Sequence, residues 1–95
     1  MVPDISQITG LGDFTVKQEE SRTLYYKGDK AFLVRNANTI ELRSDPKLGR
    51  LLTGKYESVM QSRYFGRGGI EIVLAGQLSS TELADLIRLS YNLTV

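Results

Sequence analysis

The sequence contains no cysteine and no histidine among its 95 residues. Without cysteine the chain has no disulfide framework and no thiolate nucleophile, which is compatible with a reducing compartment. Without histidine it also lacks the commonest general base and the commonest metal ligand. Because most enzyme classes depend on one of these groups, we predict a protein that is not an enzyme and that holds neither a metal nor a cofactor.

Other chemistry-bearing patterns are equally sparse. Glu19 and Glu20 are adjacent, so their side chains point apart in a helix or a strand and form no carboxylate pair. No G-x-S-x-G motif places a serine beside an activating group. The glycines at 10 and 12 and at 66, 68 and 69 match neither the dinucleotide-binding fingerprint nor the P-loop. These glycines are more typical of turns.

Long hydrophobic runs are also absent. No apolar stretch approaches the roughly 18 to 20 residues that a membrane-spanning helix needs. The opening residues MVPDISQITG have neither the basic nor the apolar region of a secretory signal. We therefore expect a cytoplasmic protein without membrane contact.

The charge of the chain is unevenly distributed although its net value is only +1. Residues 1–21 carry one basic and four acidic side chains, and residues 68–95 carry one basic and three acidic ones. Residues 22–67 carry ten basic and four acidic side chains, a net charge of +6. A basic segment of this kind predicts an attraction for polyanions, although it is also compatible with a solvated surface of mixed charge.

The middle of the chain has the pattern of an antiparallel meander. Two strand-like runs, 22–27 and 30–35, flank Gly28-Asp29, and a two-residue loop with glycine first predicts a hairpin with a type II′ turn. A third run, 39–43, alternates apolar and polar residues. Further strands are predicted over 58–64 and 69–74, whereas residues 1–21 are weakly patterned and favour one short helical turn near Ile5 and Ile8.

Two helices are predicted from their start signals and apolar stripes. Asp45 precedes Pro46, an N-cap and N1 pair, and leucines then follow at helical spacing. Ser79 and Glu82 form a capping box before a second stripe that runs to about Tyr91. The sequence therefore predicts one α+β domain over residues 1–95, with an antiparallel sheet of about five strands and two helices packed on one face.

The stretch RYFGRGG, residues 63–69, carries two arginines and three glycines in seven residues. As a connection between two strands it predicts a second hairpin whose arginines lie at an exposed tip. Two protruding hairpins with cations near their turns would suit the phosphate backbone of a nucleic acid. The candidate phosphate-binding residues are Lys27, Lys30, Arg35, Arg63 and Arg67.

The order and spacing of several short runs resemble a known family. These runs are GDKAF from Gly28, IELRSDP from Ile40, the strand 69–74 and the terminal LIRLSYNL from Leu86. Together they resemble the MmcQ/YjbR family of small bacterial proteins over about residues 22–95. The resemblance implies a fold similar to that of the frataxin homologue CyaY and a double-wing DNA-binding motif. It implies no catalytic residue, and its Ser90-Tyr91 pair is interpreted as structural.

The favoured hypothesis is thus a non-enzymatic DNA-binding protein that contacts phosphates through two basic hairpins. The alternative is a small protein-interaction module, which would add a strand to its sheet or dock an apolar face, and a homodimer would give a chain of this size additional stability. A small-ligand carrier or an enzyme is the third possibility.

Overall fold

A computed structural model describes residues 5–95 of the chain, so residues 1–4 of the weakly patterned segment lie outside the described residues. The elements in chain order are a 3₁₀ turn Ile5–Gln7, β1 Thr15–Gln18, β2 Thr23–Lys27, β3 Lys30–Arg35, β4 Thr39–Arg43, α1 Pro46–Lys55, β5 Val59–Ser62, β6 Gly66–Val73 and α2 Ser80–Leu93. The predicted α+β class is confirmed. No helix within residues 5–95 has the length and apolar character needed to cross a membrane.

The six strands form one antiparallel sheet in the order β1-β2-β3-β4-β6-β5. The sixth strand, β1, was not expected from the sequence. All four of its residues are exposed, and it is held by its pairing with β2, in which Val16 lies opposite Tyr25. The sheet therefore ends at β1 on one side and at β5 on the other.

Both helices pack on the same face of this sheet, as predicted. The register pairs Leu42 with Ile70 and Ile40 with Ile72, which places all four side chains on one face. Helix α1 packs against β5 and β6, and α2 packs against β3 and β4. The buried side chains that form the core come from both layers and include Phe32, Ile40, Ile72, Leu83 and Ile87.

A β-bulge links the sheet to α2. The register between β2 and β3 shifts at Tyr25 and Tyr26, so that Phe32 is an extra residue on β3. The hydroxyl of Ser90, which is 0% exposed, donates to the carbonyl oxygen of Phe32 and accepts the amide hydrogen of Arg43 at 2.8 Å. Ser90 thus bridges β3 and β4 where they have no direct ladder bond. The structural interpretation of Ser90 is confirmed.

Local signals in the sequence correspond to the observed turns and caps. Gly28 has φ of +66°, and Asp29 is not among the residues with positive φ, as a type II′ turn requires. Ser79 and Glu82 form the predicted capping box, and α2 continues to Leu93, two residues beyond the predicted end. Helix α1 begins at Pro46 with Asp45 as its N-cap residue, as predicted, but Asp45 makes no side-chain hydrogen bond to the first turn, so the expected capping bond is wrong.

Candidate functional site

Both hairpin turns lie at the same end of the sheet. Strand β3 begins at Lys30 and runs antiparallel to β4, so the start of β3 lies beside the end of β4 at Arg43. Arg43 in turn pairs with Gly69 near the start of β6. Helix α1 starts three residues after Arg43, with the amide of Ser44 bonded to the carbonyl of Gly68. This end therefore collects two turns and a helix N-terminus.

We call this end of the molecule the basic end and define it by the exposed basic residues there that form no ion pair within residues 5–95: Lys30, Lys47, Arg50 and Arg67. All four are exposed. Within residues 5–95 the ion pairs involve other side chains, so none of these four charges is neutralised by a described carboxylate. Two acids, Asp29 and Asp45, occur in the same segments, which leaves the basic end with a surplus of positive charge.

Two of these cations line a common cleft of about 420 Å³ between α1 and the hairpin of β5 and β6. Arg50 comes from the second turn of the helix, and Arg67 comes from the start of β6. The other lining residues are Pro46, Gly49, Thr53, Gln61, Gly69 and Ile70. Since this lining contains no carboxylate, the basic cleft offers two guanidinium groups and neutral polar atoms to an anion.

The structure places the five candidate residues from the sequence in different environments. Lys30 and Arg67 lie at the basic end, as the two-hairpin hypothesis expected. Lys27 is directed to the helix face, where its ammonium donates to the carbonyl oxygen of Tyr91 at 3.1 Å and lies 4.5 Å from the centre of the Tyr91 ring. The charge of Lys27 therefore lies at the C-terminal end of α2, where the helix dipole favours a cation.

Arg35 and Arg63 also depart from the expected arrangement. Arg35 ends β3, at the opposite end of the sheet from the turn at Gly28. The guanidinium of Arg63 makes a two-bond contact to Glu71, with Nε 3.0 Å from Oε1 and Nη2 2.7 Å from Oε2. The structure therefore brings together two of the five predicted residues, Lys30 and Arg67.

The position of the second turn explains why Arg63 contacts Glu71. The turn occupies residues 63–65, whereas the glycines 66–69 belong to strand β6, so the prediction of a tip made by these glycines is wrong. Residues 63–65 lie over the sheet face opposite the helices. A Cβ atom on Gly69 would lie 2.6 Å from Cβ of Phe65, and the guanidinium carbon of Arg43 lies 4.9 Å from the Phe65 ring centre. The turn is folded back and does not protrude.

Two buried glutamates lie beneath this folded turn. Glu41 and Glu71 are directly opposite each other on β4 and β6 and are 3% and 2% exposed. Glu71 accepts from Arg63 and also from the Thr39 hydroxyl at 2.7 Å. The hydrogen bonds from Arg63 lower the pKa of Glu71 below its usual range, and the same contact raises the pKa of Arg63.

Glu41 organises the turn through neutral donors. Its Oε1 accepts from the Ser62 hydroxyl and from the Tyr64 amide, both at 2.8 Å, and its Oε2 accepts from the Asn36 side-chain amide at 2.9 Å. Beside it is a second cleft of about 440 Å³, which we call the open-face cleft. It is lined by Ser21, Arg22, Asn36, Glu41, Arg63 and Tyr64.

Sequence reasoning did not identify the members of these two clefts other than Arg63 and Arg67. Arg50 lies on a helix that was interpreted only by its apolar stripe. Its spacing of three from Lys47, outside the cleft, was the available signal of a basic helix surface. Arg22, Glu41 and Tyr64 come from three separate elements. Only the strand order brings those three residues together.

Comparisons with known proteins identify the fold. No protein-family model matches the sequence, and no curated protein matches it. A crystal structure of a protein from Pseudomonas syringae, a structural genomics target, is similar with a TM-score of 0.73 and 17% identity, covering 86% of this chain and 87% of that one. The Deinococcus radiodurans protein DR2400, with a DUF419 domain, has a TM-score of 0.78 and 17% identity, covering 93% and 72%. The chain therefore shares its fold with these two proteins.

Proposed function

We propose that this chain is a non-enzymatic DNA-binding protein of the cytoplasm that holds phosphate groups at the basic end. The observation that carries the proposal is the basic cleft, in which Arg50 and Arg67 lie on facing elements with no carboxylate in the lining. Guanidinium groups that form no ion pair within residues 5–95 retain their full set of donors for phosphate oxygens.

The arrangement of the remaining cations suits a backbone and not a single anion. Lys30 is separated from Arg67 by β4, so the two lie about two strand spacings apart, roughly 10 Å, across the end of the sheet. Adjacent phosphates on one strand of duplex DNA are spaced by a few ångströms, so cations at this separation reach different phosphates. The N-terminus of α1, at the same end, adds a favourable partial charge.

We further propose that the chain is a distant relative of the MmcQ/YjbR family. The support is the run of residues from Gly28 to Pro46 and the terminal LIRLSYNL, together with the fold shared with two bacterial proteins at 17% identity. Of the two wings that the motif of that family implies, only the first hairpin would correspond here, because the second turn is folded onto the sheet.

Salt dependence tests the DNA proposal. We expect the affinity for a labelled duplex, measured by fluorescence anisotropy, to fall steeply as salt rises. The double variant R50Q/R67Q should reduce the slope of log affinity against log salt by about 1.8, the value for two phosphate contacts. The matched control is Arg35→Gln, which removes an exposed positive charge at the opposite end of the sheet and should leave the slope unchanged. Equal slopes for all variants would refute the proposal.

A protein-interaction module is the second candidate, favoured by the exposed apolar surface of α1. Leu51 is 70% exposed, and none of the ten helix residues is buried. If this surface mediates self-association, light scattering after size exclusion should show a dimer that Leu51→Lys converts to a monomer. Leu89→Lys, on the outer side of α2 and 38% exposed, is the comparison variant and should leave the dimer intact.

A further inference from the structure

We infer that the open-face cleft binds a small zwitterion, a free α-amino acid, with its ammonium group at Glu41 and its carboxylate at Arg22 and Arg63. This site lies on the face of the sheet opposite the helices and is separate from the basic cleft. The inference is independent of DNA binding. A cleft of about 440 Å³ lies within the range of 300 to 1,000 Å³ that small-molecule sites occupy.

Glu41 lines the open-face cleft with a buried carboxylate. Its side chain is buried, yet it forms no ion pair with any lysine or arginine of residues 5–95. Its cross-strand neighbour Glu71, equally buried, is neutralised by Arg63. Arg22 and Arg63 are near enough to attract Glu41 electrostatically, but neither forms a direct ion pair with it. A buried carboxylate without a direct ionic contact is unfavourable, because burial removes the water that stabilises its charge. A cationic group placed in the cleft would relieve that cost.

The floor of the cleft has unused capacity to accept hydrogen bonds. A carboxylate offers about four acceptor positions, and Glu41 uses three, two on Oε1 and one on Oε2. The Asn36 amide nitrogen donates to Thr39 and to Glu41, which directs both of its hydrogens inward and leaves its carbonyl oxygen without a described donor. The floor therefore accepts hydrogen bonds, as an ammonium group requires.

The rim of the cleft has more hydrogen-bond donors than described acceptors. Arg22 uses Nε on Glu19, and Arg63 uses Nε and Nη2 on Glu71, so each guanidinium keeps N–H groups without a described partner. Arg22 is held in place over the Tyr64 ring, with its guanidinium carbon 5.1 Å from the ring centre. A carboxylate is the planar acceptor that such a fork binds best.

The balance of charge favours a ligand that carries both signs. Three carboxylates, Glu19, Glu41 and Glu71, lie among three cations. These are Arg22, Arg63 and Lys17, whose ammonium is 3.8 Å from Glu19, so the local charge is zero. A ligand with a net charge, such as phosphate or a simple amine, would leave this balanced group of charges with an uncompensated one. An α-amino acid separates its two charges by a few bonds, which matches an acceptor floor below a donor rim.

Nuclear magnetic resonance of the full chain tests the site. Each of the common α-amino acids is added to ¹⁵N-labelled protein at up to about 10 mM. At this concentration even dissociation constants above about 1 mM can be measured. We expect at least one of them to shift the Asn36 side-chain amide and the backbone amides of Arg22 and Tyr64 along a saturating curve. Analogues of that amino acid that lack either the amine or the carboxylate should bind about tenfold more weakly.

Variants separate the site from a structural role of Glu41. Glu41→Gln keeps the acceptor for Ser62 and Tyr64 but removes the charge, and Arg22→Gln changes only the rim, so it tests the site even if Glu41→Gln fails to fold. Each should weaken binding about tenfold, whereas Arg67→Gln in the basic cleft should have no effect. The inference is overturned if no amino acid shifts these signals, if a single-charge analogue or inorganic phosphate binds as tightly, or if the Arg22 variant binds like the wild type.

Discussion

At the scale of single residues, Ser90 takes the place of one sheet hydrogen bond, that between the Arg43 amide and the Phe32 carbonyl, next to the bulge at Phe32. Its hydroxyl serves the carbonyl of Phe32 and the amide of Arg43 at once, inside the core. Nearby, the Arg43 guanidinium donates to the carbonyl oxygen of Ala31 at 2.7 Å and so adds a second side-chain link between β3 and β4. The separation of β3 from β4 at this end is thus compensated entirely by side chains.

Removing the Ser90 hydroxyl should therefore destabilise the fold. Ser90→Ala leaves a buried carbonyl and a buried amide without partners, and we expect the free energy of unfolding in urea to fall by about 2 to 4 kcal/mol. Ser80→Ala, at an exposed position of the same helix, should change it by less than about 0.5 kcal/mol. A Ser90 variant as stable as the wild type would show that water or a shift of the strands satisfies these groups.

Glu71 and Arg63 should make stability depend on pH. Because the pKa of Glu71 is lower in the folded chain than in the unfolded one, its contribution is complete above the unfolded value of about 4.3 and is lost as the pH falls through the folded value. Glu71→Gln lacks this titration. The stability difference between wild type and variant should therefore be largest near pH 6 and shrink toward pH 3 in urea titrations. A difference that is constant with pH would contradict the assignment.

At the scale of elements, α1 is the weakest part of the helix layer. It has ten residues, none of them buried, and it contains two glycines. A methyl group on Gly54 would meet nothing within 4 Å, and the residue has no positive φ. The helix is thus held by a few partly buried contacts, such as those of Leu52, and by its connections.

Two glycine variants should have effects of opposite sign. Gly54→Ala should stabilise the protein by about 0.5 to 1 kcal/mol, because alanine loses less backbone entropy in a helix. Gly28→Ala should destabilise it by about 1 to 2 kcal/mol, since the left-handed turn at +66° disfavours a Cβ atom although the space around it is also open. Thermal unfolding measures both changes. If Gly54→Ala lowered the midpoint, the end of α1 would have to be irregular in solution.

The elements also show what the sequence can predict. The turn at Gly28, the capping box at Ser79 and the alternation of Ile70 and Ile72 are local signals, and each was predicted with its element. Strand β1 was not, because Thr15–Gln18 has a single strongly apolar residue and becomes a strand only through pairing with β2. Its stability comes from tertiary structure and not from its own residues.

The candidate sites were less predictable for the same reason. Arg63 is separated from Glu71 by eight residues, and their contact depends on a register shift between β5 and β6 at Ser62. The sequence marked Arg63 as a free cation because a turn at the glycines would have placed it at an open tip. Arg67, which the sequence placed at the tip of the same turn, lies instead near the start of β6 and forms no ion pair within residues 5–95.

At the scale of the whole molecule, ion-paired charges and unpaired cations lie in different parts of the surface. On the open face Glu19 and Glu71 are paired with arginines, whereas at the basic end four exposed cations form no ion pair within residues 5–95. The net charge of +1 conceals this division. A polyanion approaching the protein would therefore be oriented toward the basic end, since the field of clustered charges extends about a Debye length, roughly 10 Å, into solution.

The most direct test of this account maps the contact surface of a short DNA duplex by ¹⁵N chemical shifts on the full chain. The account predicts salt-sensitive shifts that cluster at three segments of the basic end, 28–30, 46–50 and 66–68, with little change at 35–38. Shifts centred on the opposite end around Arg35, or no shifts at low salt, would contradict it.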